Sequence, residues 1–590
     1  MDSDTIKTAP KRILIVAEHR IGHGSGHLHR CARIVPKLNG HVDWFLPLEG
    51  DADYYGRSEA LEIIANPDLP VRWVDAPEGP YDIVILDRRE ITLAELRQLN
   101  VSGIVIGIDL AGEGRSYCSY LIDALESPPG TERPNIADSG LLQLPDNVRP
   151  EWPKQVNRIL VAFGGEQSGA GSDLAAQIAE QTGLDVYLAA RKAVQAPKNV
   201  RLLESKGALQ EALAEFDLVL THFGLTAYEA LWARVPVILR NPGRYHSALS
   251  RSAGFTEIRT AADVKRHTTD VASLVERCRR IRPKGTSDIA SLINELNVPA
   301  RLNPPVGGDR WQPAVYRFAE RTFFRNSENG LIYMQNYRGN GVTYTHDYFF
   351  SEYARQYGKT YLEDFPAIKA AGMRRMDDIL RMVKQTDTTR PPRLLDIGCA
   401  FGPFLQAAAE TGCDVSGIDI SSEAVDYVQN TLGFPARCID VLGVDAKDLN
   451  GPYDIITMWY VIEHFQDLDR LLHRVVSNLK PGGLFAFSTP NLAGISGRQD
   501  RREFFRLSPS DHFTVMSPST AAAVLRKFNL HKKKVRITGH HPERFDFVPP
   551  GRDDQRTGAR YPGFRHWLAG TLSRVAGLGD TFEMVAEYRP

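Results

Sequence analysis

The stretch RLLDIGCAFGPF, Arg393–Phe404, reads as a buried strand, a glycine turn and the start of a helix. Gly398 and Gly402 flank the turn, where the lack of a side chain lets backbone approach a ligand closely. Some residues further on, DVSGIDIS ends a second strand at Asp419, a carboxylate that can accept hydrogen bonds from both hydroxyls of a ribose. Ser421 or Ser422 then caps the helix SEAVDYVQNTLG. Ala400 occupies the place of the second glycine of GxGxxG. A pyrophosphate needs that close approach, so the departure weakens a dinucleotide reading.

Downstream come a third strand followed by Asp440, then MWYVIEHFQD, NLKPGGLFAFSTPN and GDTFEMVAEY, each a strand with its following turn. The set resembles class I S-adenosylmethionine-dependent methyltransferases over roughly Thr343–Pro590. VIEHFQD, STPN and SPSDHFTVMS are similar to the O-methyltransferases of small molecules and sugars. The resemblance implies that Asp419 holds the ribose and Asp440 the adenine amino group. It gives the methionine portion to the Asp396, Gly398 and Gly402 loop, with Glu463 holding cofactor or orienting its neighbour. A hydroxyl acceptor must lose a proton, and a neutral histidine suits that step near pH 7. His464 and His512 are the candidates.

Before this region lies an aromatic helical segment, THDYFFSEYARQYGKTYLEDFPAIKAAGMRRMDDILRMV, expected to cover the pocket with Tyr353, Tyr357 or Tyr361 near the cofactor. From about Val298 to Val342 periodicity fades, and Pro, Gly, Asn and Arg suggest a linker with little core. Within it, RTFFRNSENGLIYM resembles the second half of a small zinc ribbon. Asn326 and Asn329 stand where thiolates would, so a persisting ribbon holds no metal.

The amino-terminal half alternates β-branched runs with helical stretches twice over: RILIVAE, HVDWFLP, YDIVILD and GIVIGIDL, then RILVAFGG, DVYLAA, DLVLTHFG and VPVILRN. Two Rossmann-like domains with a hinge near Pro145–Gln155 follow, with ligands at the carboxyl ends of their strands. After the first strand comes IGHGSGHLHRC, Ile21–Cys31. Its histidines lack the spacing of a metal set, whereas a glycine loop opening a helix presents N–H groups to an anion and keeps a first-turn histidine neutral.

Gly24, Gly26, His27, Arg30 and Cys31 resemble the GxGHxxRC loop of the nucleotide-sugar hydrolase of the pseudaminic acid pathway, an enzyme of glycosyltransferase-B (GT-B) fold. The resemblance spans roughly Arg12–Ile258 and includes FGGE (with Gly164 and Gly165) and THFGLTAYEALWARVPVIL. It implies that His27 activates water at the anomeric carbon. It also implies that the glycine turns, Gly224 and Thr226 bind the diphosphate, and that Glu229 binds the ribose of UDP. Two places depart from the hydrolase pattern: Asp87-Arg88-Arg89 replaces a usual His-Tyr sequence, and Tyr245 and His246 replace Asn-Gln.

At 590 residues the chain is too long for one core, and 71 basic against 72 acidic side chains leave a formal charge of −1, which gives no electrostatic case for nucleic acid or membrane. Six scattered cysteines, no apolar leader and no spanning run favour the cytoplasm. The fold expected is α/β. It comprises Rossmann-like domains over 11–150 and 151–290 in a GT-B arrangement, a linker over 291–342, a helical lid over 343–388 and a class I methyltransferase domain over 389–590. The function expected is bifunctional: a UDP-sugar hydrolase-like half, and an S-adenosylmethionine-dependent half methylating a sugar or small-molecule hydroxyl in surface-glycan biosynthesis. A non-catalytic nucleotide-sugar module, or an acceptor-dependent glycosyltransferase, stands as the alternative for the first half.

Overall fold

Runs of β-branched residues with almost no exposed side chain can only be strands covered on both faces, and such strands pair in parallel. The first set forms one seven-stranded sheet: β1 (Arg12–Ala17), β2 (His41–Phe45), β3 (Arg72–Val74), β4 (Tyr81–Asp87), β5 (Val101–Ile108), β6 (Tyr120–Asp123) and β7 (Ile136–Ala137). Their order is β3-β2-β1-β4-β5-β6-β7, all parallel. A second parallel sheet has the order β10-β9-β8-β11-β12-β13. It uses β8 (Arg158–Ala162), β9 (Asp185–Ala189), β10 (Arg201–Leu203), β11 (Leu218–Thr221), β12 (Val237–Leu239) and β13 (Thr256–Glu257).

In both sheets the order reverses beside the first strand, at β1/β4 and β8/β11, which opens a crevice at the strand carboxyl ends. The computed structural model describes residues 10–20, 26–48, 53–64, 66, 68–127, 131–142, 144–163, 170–189, 196–203, 209–281, 283, 288–338, 353, 358–383, 390–545 and 564–590. The chain divides into one unit of residues 1–300 with 317–322, and another of 301–316 with 323–590.

The boundary expected at residue 290 falls inside a helix, Ile289–Asn294. That helix returns to the first sheet domain: Lys37 Nζ pairs with Asp288 at 2.8 Å, Asn294 Nδ2 donates to Lys37 O at 2.8 Å, and Lys11 Nζ donates to Leu296 O at 2.9 Å.

The expected linker is instead a sheet, most of whose residues belong to the second unit. β14 (Ala314–Phe318), β15 (Arg321–Arg325) and β16 (Ile332–Asn336) are joined by a later strand, β22 (Thr514–Val515), in the order β14-β15-β16-β22. These strands are only five residues or fewer and interleave aromatics with Arg and Thr between Gly and Asn turns, so their composition is that of a loop. Their core is small, with Ala314, Phe324 and Tyr333 buried together. Asn326, fully buried, donates from Nδ2 to Val306 O at 2.7 Å and Gly307 O at 2.9 Å, and Asn329 Nδ2 donates to Val306 O at 2.9 Å. Two carboxamides thus tie the turns that the ribbon resemblance would give to a metal.

The remaining sheet uses β17 (Arg393–Ile397), β18 (Asp414–Asp419), β19 (Ala436–Cys438), β20 (Tyr453–Trp459), β21 (Leu479–Pro490), β23 (Leu530–Thr538) and β24 (Thr581–Tyr588). The order is β19-β18-β17-β20-β21-β24-β23, with β24 antiparallel to both neighbours. The reversed strand separates this sheet from the all-parallel pair in the first unit. Its switch point lies between β17 and β20. A helix over Tyr361–Leu380, capped by Thr360 with Glu363 in a capping box, precedes it. Tyr357 and most of the expected lid before it lie outside the described residues.

Candidate functional site

The turn after β17 is fixed by what a side chain would strike. Gly398 has φ +75°, and a Cβ there would lie 2.5 Å from Val461 Cγ2. Gly402 has φ +78°, with Leu432 and Val428 2.9 Å from an added Cβ. Ala400, between them, holds φ +45°, a conformation that costs a non-glycine residue roughly 1–2 kcal/mol. Its N–H donates to Asp419 Oδ2 at 2.8 Å, and Ser421 N–H donates to Oδ1 at 2.9 Å. Strain of this kind, held by a carboxylate at the end of the neighbouring strand, is found where a loop is shaped for a ligand.

Asp396 ends up behind the turn, 2% exposed, accepting the Thr457 hydroxyl at 2.6 Å. Burial pushes its carboxyl up to about 7 against that hydrogen bond and the pull of Arg375. Burial also raises Asp419, opposed by the N–H groups of Ser421 and Ala400. Asp440 is exposed just beyond β19 and accepts Leu442 N–H at 2.9 Å. Tyr361 packs on Phe401 of the turn (centroids 5.9 Å apart) and on Tyr353, whose hydroxyl donates to Asp364 at 2.9 Å.

Past β20, the short helix Ile462–His464 presents Glu463 and His464. Sequence reasoning offered His464 and His512 separately, and the structure brings them together, rings 4.9 Å apart and nearly perpendicular. It also adds a residue that sequence reasoning missed. Asp511 faces His464 Nδ1 with its carboxylate at 3.2 Å and its carbonyl at 3.1 Å, which leaves Nε2 as the acceptor nitrogen.

Burial acts to lower His464, but Asp511 and Glu463 more than offset it, and its ring is raised; burial and then His464 lower His512 to about 4. Glu463 is 1% exposed and pushed up by burial to about 7, against His464 and the Thr489 hydroxyl. Ligand-type atoms of Glu463, His464 and His512 lie within 4.8 Å of one another, a set able to share a metal ion. The expected linker sheet positions this cluster: Phe513 N–H donates to Glu463 O at 2.8 Å, and Met334 N–H on β16 donates to Phe513 O at 2.9 Å.

In the first unit, the carboxyl ends of β1 and β4 carry a second cluster. His27 opens the helix Gly26–Ile34, and a Cβ on Gly26 would lie 3.0 Å from Leu225 Cδ1. Gly26 therefore lies directly against Leu225, the residue between Gly224 and Thr226. Arg30, expected in the substrate-binding set with Gly24 and Gly26, is 5% exposed and forks onto Asp87, through Nε at 2.7 Å and Nη2 at 2.6 Å, while Nη1 pairs with Asp109. Glu229 is also engaged, accepting from Gln210 and lying 3.5 Å from Arg33. Burial raises its carboxyl against both partners. The two departures from the hydrolase pattern meet in space, Arg89 Nη2 lying 3.4 Å from His246 Nε2. Gly24, Gly164 and Gly165 lie outside the described residues.

No helix among the described residues is long and apolar enough to cross a membrane. Residues 369–534 match the methyltransferase domain family. The chain is 31% identical over 119 residues to the ubiquinone biosynthesis O-methyltransferase of Coxiella burnetii, covering 19% of this chain and 49% of that protein. To the enzyme of the same name from Burkholderia orbicola it is 27% identical over 161 residues, covering 25% and 69%. The chain thus spans about half the length of the first of these relatives. A solved S-adenosylmethionine-dependent methyltransferase from Archaeoglobus fulgidus aligns at 16% identity and a TM-score of 0.27, over 40% of this chain and 99% of that one. Residues 369–534 are a methyltransferase domain, and S-adenosylmethionine is its cofactor.

Proposed function

We propose that the second unit transfers a methyl group from S-adenosylmethionine to a hydroxyl of a sugar or other small molecule, in surface-glycan biosynthesis. The observation that carries this is the His464–Asp511 pair at the switch point where the cofactor turn lies. His464 Nε2 takes the hydroxyl proton, the acceptor oxygen attacks the methyl carbon in line, and the sulfonium leaves as a neutral thioether. Asp396, Gly398 and Gly402 receive the methionine portion, Asp419 the ribose and Asp440 the adenine.

The first unit, on the same reading, acts at the anomeric carbon of a UDP-sugar in a GT-B arrangement. His27 takes a proton from water as the water oxygen bonds to that carbon and the bond to the diphosphate breaks, releasing UDP. Gly224 and Thr226 open the helix Leu225–Trp232, whose N–H groups suit a diphosphate. The Arg89–His246 contact replaces both sugar-facing motifs of the hydrolase, which supports a different sugar.

The binding-module reading has one observation in its favour: Glu229 is already held by Gln210 and Arg33. The test is UDP release from a panel of UDP-linked amino and deoxy sugars, without acceptor, for wild type and His27→Ala. Release by wild type alone supports hydrolysis. No release from any sugar, with UDP bound, supports the module or an acceptor-dependent transferase.

A further inference from the structure

We infer that Asp87 is the positioning residue for His27, clamped in turn by Arg30; this rests on the reading of the first unit as acting on a nucleotide sugar. Asp87 closes β4 and pairs in register with Ala17 at the end of β1, the strand that leads into the histidine loop. Its carboxylate is fully buried, with Oδ1 2.6 Å from His27 Nδ1. The His27 side chain is 17% exposed, so the ring is held from inside while one edge stays open.

With the proton on Nδ1 donated to Asp87, Nε2 carries the lone pair that a general base needs. Burial alone would raise the Asp87 carboxyl, but Arg30 first and then His27 outweigh it and hold it well below the usual carboxylate range. It is therefore ionised at neutral pH, and an imidazolium formed by proton uptake at Nε2 gains a buried counter-charge. Arg30 fixes the carboxylate plane through two hydrogen bonds and is itself anchored by Asp109, which directly follows β5 in the left-handed region at φ +48°. A buried arginine spent entirely on two carboxylates is costly for stability alone. It is accounted for here by what it orients.

Two measurements test this. In the full-length protein, nitrogen NMR of the His27 ring, assigned by comparison with His27→Gln, is expected to show the tautomer with Nδ1 protonated. The tautomer with Nε2 protonated would overturn the assignment whatever the unit's activity. Second, Asp87→Asn is expected to lower kcat for UDP release by about 10²–10⁴-fold, with KM and UDP affinity within about threefold of wild type. A kcat within about threefold would overturn it.

Should that variant fail to fold, Arg30→Lys keeps the charge and removes the fork. A fall in kcat of at least about tenfold at unchanged KM supports the clamp, and an unchanged kcat overturns it. A wild-type protein that releases no UDP without acceptor refutes the hydrolysis reading, and the ring tautomer still decides the role of Asp87.

Discussion

Asp419 Oδ2 accepts the backbone N–H of Ala400 at 2.8 Å, so the carboxylate expected to hold a ribose also holds the strained turn of the cofactor loop. Removing it has two consequences, loss of the ligand contact and release of the turn. Asp419→Ala is expected to weaken S-adenosylmethionine binding by about 30-fold or more, roughly 2 kcal/mol, by calorimetry. Unchanged affinity in a folded variant would refute the ribose role.

Gly398→Ala is expected to act on folding before function. The left-handed backbone at φ +75° and a Cβ 2.5 Å from Val461 Cγ2 leave nowhere for a methyl group. A loss of about 2 kcal/mol or more is expected, read as a lower thermal midpoint of the second unit. An unshifted midpoint would mean the turn has another stable form.

The same turn marks how far the sequence could be read. Strand cores such as Ile13–Ala17 announce themselves because each position is apolar on both faces, and Leu394–Ile397 because Asp396 alone interrupts the run. Gly398, Gly402 and Asp419 follow from their spacing around such strands. What one chain does not display is the partner of each histidine: Asp87 lies 60 residues from His27, and Asp511 lies 47 from His464. Only the sheet order brings them together. The strands of the expected linker were hidden differently. Their short mixed runs gain partners from β22, nearly two hundred residues away, so no local periodicity betrays them.

His464→Gln and Asp511→Asn separate chemistry from cofactor binding. The first is expected to lower methyl transfer by about 10²–10³-fold, and the second by about tenfold or more, each with S-adenosylmethionine affinity within about twofold. Transfer is read from production of S-adenosylhomocysteine with a hydroxylated sugar acceptor. Equal loss of affinity and rate would place both residues in the cofactor pocket.

Asn326→Ala tests the hydrogen-bonded ribbon. The variant strips partners from Val306 O and Gly307 O and from the N–H of Glu328, which Asn326 Oδ1 accepts at 2.9 Å. A loss of about 2–3 kcal/mol is expected in denaturant unfolding of the second unit. Because β16 holds Phe513, a slower methyl transfer is expected below the unfolding transition as well. Full stability would show the turns to be self-supporting.

The last prediction concerns pH and follows from Asp396, whose carboxyl burial pushes up to about 7 in the ligand-free protein. The cofactor brings a sulfonium and an ammonium, and either cation favours the ionised carboxylate. Below pH 7 binding must first expel a proton, so affinity is expected to fall by up to tenfold per pH unit downward and to level off above 7. Stability of the ligand-free unit runs the other way. A carboxyl raised in the folded state holds its proton more tightly than in the unfolded chain, where it titrates near about 3.9. Its stabilising contribution is therefore complete below pH 4 and is lost as pH rises through 7. Asp396→Asn is expected to flatten both profiles. Calorimetric titration of S-adenosylmethionine between pH 5.5 and about 8.5, with thermal melts at the same points, reads them together. A wild-type affinity independent of pH would mean that Asp396 stays ionised through its bond from Thr457 and does not report on the cofactor.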